Sequence, residues 1–173
     1  MALLPILVAP HPILKAKAKP VDAVDAEVRQ MMDDMLETMY DAPGIGLAAP
    51  QIGVGSRVIV LDIAGEGEPK APMAMVNPEL TWVSDEDATY EEGCLSVPEH
   101  YADVVRPARI RVAYLDRDGK KQELEAEGLL ATVIQHEMDH LEGILFIDHL
   151  SNLKRNMILR KLLKSRKVLE EAS

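Results

Sequence analysis

One cysteine, Cys94, is all that the 173 residues contain, so no internal disulfide can form and the fold must rest on its core. A lone thiol suits a reducing compartment, and a cytoplasmic location is the expectation. Also missing is any apolar run long enough to cross a bilayer. The opening stretch Met1–Pro10 is apolar but short, is broken by Pro5 and Pro10, and has no positive n-region. It reads as an edge segment packed on a domain, with no membrane partner expected. There is no internal repeat and no low-complexity block. The nearest thing to a long loop is Ala64–Pro72, rich in Gly, Glu and Pro. A chain of this length buries a substantial core without staples, so a single domain over 1–173 is expected.

Positive charge is scarce until the end of the chain. Of 19 Lys+Arg and 29 Asp+Glu, residues 1–150 hold 12 and 27, and residues 151–173 hold 7 and 2. The body is therefore near −15 and the tail +5, and no DNA partner is expected. Ser151 is a good N-cap for a final helix. Behind it Lys154, Arg155, Arg160, Lys161, Lys164, Arg166 and Lys167 surround Leu153, Met157, Ile158 and Leu162. That is an amphipathic basic helix. Its plainer use is a solvated face that offsets the acidic body; its sharper use is contact with ribosomal RNA, which phosphate electrostatics favours.

Periodicity places the other elements. Val24, Val28, Met31, Met35 and Met39 recur at spacings of three and four, which predicts a helix from about Val21 to Tyr40, capped by Asp22 or Asp25 and ended by Pro43-Gly44. Arg57–Ile63 reads as a buried strand. Ile110, Val112 and Tyr114 alternate into Asp116–Gly119, where Asp118-Gly119 is a hairpin turn. A further helix, Gly128–Leu141, has Ile134, Met138, Leu141 and Leu145 on one side and polar residues on the other, so both sides must be covered. The expected class is α+β: antiparallel sheets around this central helix, one helix before it and one basic helix after it.

The polar side of the central helix carries the chemistry. His136 and His140 are four residues apart, hence on one face, and can grip one metal ion. Glu137 is rotated about 100° from His136 and can reach a water near that metal without ligating it. This pattern points to metal-assisted hydrolysis, and the third ligand decides the class. The metzincin extension has Gly143 in place but Phe146 where its last histidine belongs. A thermolysin-like glutamate would come from the next helix, yet Ser151–Leu169 has no acidic residue. Asp148 and His149 lie beyond Gly143, where the helix has ended. Upstream, Cys94 follows Gly93, which permits close backbone approach. A thiolate with two imidazoles leaves a fourth position open for water. Two other classes fit less well. A Cys94–His nucleophilic hydrolase leaves the second histidine and Glu137 without work, and a closed structural metal site would want a second cysteine.

Three ordered motifs give the chain a resemblance to the bacterial peptide deformylases: Gly44-Ile45-Gly46-Leu47-Ala48-Ala49-Pro50-Gln51, Glu92-Gly93-Cys94-Leu95-Ser96 and Gln135-His136-Glu137-Met138-Asp139-His140. The opening Val8–Leu14 and the closing basic helix are also similar to the family. The resemblance implies removal of the formyl group from the N-terminal methionine of newly synthesised polypeptides, with release of formate. It implies metal ligation by Cys94, His136 and His140, and attack by metal-bound water with Glu137 as general base and then acid. It assigns Gln51 and the backbone N–H of Leu95 to the oxyanion. The donor set suits Fe²⁺, Zn²⁺, Ni²⁺ and Co²⁺ alike, and the family leans to iron.

Substrate contacts follow from the same motifs. Gly46 and Ile45 are expected to offer strand-type hydrogen bonds to a nascent peptide end, with Glu92 and Gly93 beside it. Leu129, Thr132 and Val133, one turn before His136, are expected to wall the methionine slot. The family often has an arginine soon after its second motif; this chain reads Val97-Pro98-Glu99-His100-Tyr101, and sequence does not place Arg106. His11, His100 and His149 have no second ligand at helical spacing, so surface or local hydrogen-bonding roles are expected. The partner is then an N-formylmethionyl peptide, and the protein a monomer.

Overall fold

The computed structural model describes residues 2–172, with side chains described through residue 165. Met1 and the side chains of Arg166 and Lys167, which entered the readings above, lie outside the described residues. The element order is α1 (Ala26–Asp41), β1 (Gly46–Ala48), β2 (Val58–Leu61), β3 (Met73–Val83), β4 (Asp87–Cys94), β5 (Val97–Pro107), β6 (Arg109–Leu115), β7 (Lys121–Glu127), α2 (Gly128–Leu141) and α3 (Asn152–Ala172). Five strands form one antiparallel sheet in the order β1-β2-β3-β6-β7, and β4-β5 form a separate hairpin.

The sheet is buried on both faces at its centre, and β2 shows why. Its four residues, Val-Ile-Val-Leu, are all fully buried, and alternate residues serve opposite layers. Ile59 and Leu61 pack with Ala131, Ile134 and Leu141 of α2. Val58 and Val60 pack with Met32, Met35 and Met39 of α1. The sheet is thus sandwiched between α1 and α2, and the far side of α2 is covered by the β4-β5 hairpin. This is the expected α+β arrangement around a central helix.

Several boundaries differ from the sequence reading. Helix α1 begins at Ala26, because Asp25 is the cap that accepts from the Val28 N–H at 3.0 Å, and the fully buried stripe is Met32, Met35 and Met39, with Met31 at its edge. Leu145 does not belong to the apolar side of α2. The helix stops at Leu141, and Leu145 packs with Leu14, Val97 and Phe146 in a third cluster. Gly143, at φ +75°, makes that stop, and a Cβ there would collide with the Lys15 backbone. Ser151 caps α3 by accepting from the Lys154 N–H at 3.2 Å. Of the four apolar residues assigned to α3, Ile158 and Leu162 pack against the third cluster, whereas Leu153 and Met157 are exposed. The 116–119 turn forms as expected, with Gly119 at φ +80° and its N–H donating to the Asp116 carbonyl.

Candidate metal centre

Helix α2 and the tip of the β4-β5 hairpin meet at three ligand side chains. His136 and His140 project from successive turns of α2. Cys94 is the last residue of β4, where Leu95-Ser96 form a two-residue turn before Val97 pairs back with Cys94. The Cys94 Sγ and the histidine ring nitrogens lie within 4.8 Å of one another, and Cys94 Sγ is 3.4 Å from His140 Nε2. Both histidines are buried, and Cys94 is half-buried. A soft thiolate with two imidazoles is a donor set for a borderline divalent transition ion.

The residues around this set fit such an ion. His136 Nδ1 is 2.9 Å from Glu92 Oε1, which leaves Nε2 to face the ligand set. Glu92 is buried, and Arg106 donates to it from Nε at 2.7 Å and Nη2 at 2.9 Å. The third arm of the same guanidinium donates to Asp139 at 2.7 Å, and His149 Nε2 also meets Asp139 at 2.9 Å. Burial alone would raise the Glu92 pKa, but the Arg106 and His136 contacts outweigh it and lower it to about 2. Burial, then the neighbouring His136 and Arg106, hold His140 well below its usual range, so it is the neutral imidazole that ligation requires. Burial would lower His136 too, yet the nearby Glu137, Cys94 and Glu92 draw a proton onto it and raise it well above that range. Three donor atoms gathered this closely would suit a divalent ion among them.

Glu137 faces the open side of the ligand set. Its Oε2 is 4.0 Å from His136 Nε2, and its Oε1 is 4.0 Å from His140 Nε2 and has no hydrogen-bond partner despite being buried. Burial pushes its carboxyl up to about 7. That value suits a group that takes and returns a proton near neutrality. Gly46 lies against it, and a Cβ at that position would fall 2.9 Å from Glu137 Cδ. Only glycine lets β1 pass so close.

Gln51 is clamped at both ends of its amide. Oε1 accepts from the Ala48 N–H at 2.9 Å, while Nε2 donates to Ser96 Oγ at 3.0 Å and lies 3.5 Å from Cys94 Sγ. Leu95 follows Cys94 in the hairpin turn, with its side chain against Gly44. A cleft of about 540 Å³ opens from this floor between Pro43–Gly46 and Pro98–Tyr101. Beside it a smaller slot of about 100 Å³ is walled by Ile45, Gly93, Leu129, Thr132 and Val133 and reaches His136 and Glu137.

Two expected contacts take a different form. Glu92 borders the slot, but both its carboxylate oxygens are engaged by Arg106 and His136, so it orients a ligand and has no free oxygen for a substrate. The Ile45 carbonyl accepts from the Asp62 N–H at 2.9 Å, which makes Ile45 and Leu47 the residues that bond to β2. The backbone of Gly46 is the one that faces the open edge of the sheet, while Ile45 contributes its half-exposed side chain. Asp148 and His149, the other downstream donors, are occupied elsewhere: Asp148 pairs with Lys15, and His149 with Asp139. His11 accepts from the Ile13 N–H, a local role. Phe146, standing where a third histidine would extend the motif, stacks on His136 with ring centres 6.2 Å apart.

Arg106 and Asp139 were not legible as site residues. Asp139 lies inside the third motif, three residues after His136, and that position was the one signal available. Arg106 sits on β5, and only the hairpin brings it to Glu92.

Comparison with known proteins agrees with this geometry. The family model described as polypeptide deformylase matches residues 3–156. The chain is 62% identical over 167 residues to a peptide deformylase of Phenylobacterium zucineum, covering 96% of this chain and 99% of that one. Among solved structures, a peptide deformylase from Legionella pneumophila superposes with a TM-score of 0.90 at 47% identity, covering 98% of each chain. One from Ehrlichia chaffeensis, solved in complex with actinonin, superposes with a TM-score of 0.91 at 40% identity, covering 95% of this chain and 98% of that one.

Proposed function

This chain belongs to the polypeptide deformylase family, and we propose that it removes the N-formyl group from the methionine of newly synthesised polypeptides, releasing formate and a free amine. The observation that carries the proposal is Glu137: a buried carboxylate with an unpartnered oxygen, beside a Cys94-His136-His140 ligand set, at the floor of a cleft bordered by an open strand edge.

The peptide adds to the outer edge of β1, where the backbone of Gly46 offers its N–H and carbonyl. The methionine side chain enters the slot walled by Leu129, Thr132 and Val133. When bound, a divalent cation supplies a Lewis acid that polarises the formyl carbonyl and makes water a competent nucleophile at neutral pH. Glu137 takes the proton of the attacking water and returns it to the leaving amine, and its pKa near 7 matches both duties. The side-chain amide of Gln51, held by Ala48, and the N–H of Leu95 donate to the oxygen that gains charge. Glu92, fixed by Arg106, keeps His136 Nε2 turned to the ligand set.

Fe²⁺ is the proposed physiological ion, with Zn²⁺, Ni²⁺ and Co²⁺ able to occupy the same donors. The working form is a cytoplasmic monomer. No helix among the described residues is long and apolar enough to cross a membrane. Helix α3 is proposed to touch ribosomal RNA through its basic face. Deleting residues 151–173 from a protein that stays folded and finding unchanged ribosome association at low salt would refute that contact.

The test of the reaction is formate release from a formyl-Met peptide by anaerobically purified, Fe²⁺-loaded protein. Release that stops with a chelator and returns with metal is expected. Release indifferent to chelation would favour a Cys94 nucleophile and overturn the proposal.

A further inference from the structure

The cleft that leads away from the metal ligands has two unlike walls. One is the open edge of β1 at Gly44–Gly46. The other is a segment of β5 that leaves the ladder: Gly93 pairs with Tyr101, yet Cys94 pairs with Val97, so Pro98, Glu99 and His100 are looped out between two consecutive pairings. Glu99 sits in that excursion, exposed, at φ +67°, a left-handed conformation that non-glycine residues seldom adopt. The excursion sets Glu99 among the residues lining the cleft. Tyr101, two-thirds exposed, lies with its ring against Gly93 at the base of the same loop.

Among the described residues that line the cleft there is no lysine or arginine. Its carboxylates are Glu137 on the floor and Glu99 on the outer wall. The body of the chain adds a diffuse negative field, since residues 1–150 carry 12 Lys+Arg against 27 Asp+Glu. A peptide that hydrogen-bonds to Gly46 and buries its methionine in the slot must run its next residues between the β1 edge and the looped-out segment.

From this arrangement we infer that the enzyme selects its substrates by charge after the methionine: a cationic side chain at the second or third residue is favoured, an acidic one is disfavoured, and Glu99 sets the preference. The inference rests on the deformylase reading of the same cleft. It concerns which formylated peptides are used fastest.

The experiment compares kcat/KM for three amidated peptides, formyl-Met-Lys-Ala, formyl-Met-Ala-Ala and formyl-Met-Glu-Ala, with metal-loaded protein at pH 8 and low salt. Reversing one charge about 7 Å from Glu99 in water predicts a lysine-to-glutamate ratio of about tenfold. In 1 M salt, where the Debye length is about 3 Å, the ratio falls towards one. Glu99→Gln should cut the low-salt ratio to about threefold or less while leaving the Ala peptide within about twofold, and Glu99→Lys should invert the preference. Glu99→Gly, which accepts the left-handed backbone, repeats the test without the carboxylate should glutamine disturb the loop. Asp118→Asn, in the distant β6-β7 turn, should leave the ratio unchanged. Equal rates on the three peptides, or a ratio that survives every Glu99 variant, would overturn the inference and leave the deformylase reading standing. No formate from any of the three would overturn both.

Discussion

Replacing Arg106 by methionine removes a cation that no part of the cleft touches, and it should disable the metal site nonetheless. Arg106 and Glu92 are each more than nine-tenths buried, and the pair is bidentate at 2.7 and 2.9 Å, with a further 2.7 Å bond to Asp139. Without the guanidinium, Glu92 keeps only His136 as a partner inside the protein. Breaking a buried ion pair from one side costs about 3–5 kcal/mol, because the remaining charge is left without compensation. For a chain of 173 residues that corresponds to a Tm lower by about 6–20 °C. The escape route is protonation of Glu92, which loses the anionic acceptor that orients His136 and should weaken metal binding by about 10- to 100-fold. Calorimetry of the metal-free protein reads the first effect, and competitive metal titration reads the second. Adding Glu92→Gln to Arg106→Met should recover part of the lost stability, since the uncompensated charge goes with it. A metal-free Tm within about 2 °C of the parent, with metal affinity unchanged, would refute the claim that this pair holds the ligand in place.

Three further outcomes are expected. Acid stability should follow Glu92: its pKa lies at about 2 against an ordinary 4.5, so its contribution of about 3 kcal/mol is fully present above pH 4.5 and is lost as pH falls from there towards 2; chemical denaturation of the metal-free protein between pH 6 and 3 reads it, and Glu92→Gln should flatten the fall. Gly46→Ala should lower kcat/KM at least tenfold with little change in metal content, because the new methyl group and the Glu137 carboxylate cannot share one space; parent-like kinetics would show that β1 can yield. Tyr40→Phe removes the hydroxyl that donates to Asp62 at 2.5 Å, and Asp62 in turn donates its N–H to Ile45; it should raise KM for tripeptides more than for formyl-Met amide and leave kcat within about twofold, and an equal effect on both substrates would refute a role in holding the β1 edge.

What sequence conveyed depended on range. The histidine pair, the α1 stripe, the buried β2 and the Asp118-Gly119 turn are local patterns whose periods of 3.6 and 2 are fixed by backbone geometry. Cys94 was found by elimination and chemistry, since two imidazoles needed a third donor and the chain offers one thiol. The arrangement around them was hidden for a physical reason. Glu92 reaches His136 across 44 positions and Arg106 reaches Asp139 across 33, contacts that exist only once β4 and β5 fold into a hairpin over α2. Nothing in the local pattern around Glu92 shows that it is buried with Arg106 and His136 as partners. The slip of register at Pro98–His100 was equally invisible, because nothing in Val-Pro-Glu-His-Tyr announces that three residues leave the ladder. Ile45 and Gly46 looked equivalent as peptide-binding backbone until the pairing of β1 with β2 fixed which of them faces outward.

The most direct test compares Glu137→Ala with the parent at equal metal occupancy, measuring formate released from a formyl-Met peptide. A general base and acid in this position is worth about 10²–10⁴ in rate, so metal retained with release reduced at least a hundredfold is the predicted result. Release within a few-fold of the parent, from a variant with full metal content, would contradict the assignment of proton transfer to Glu137.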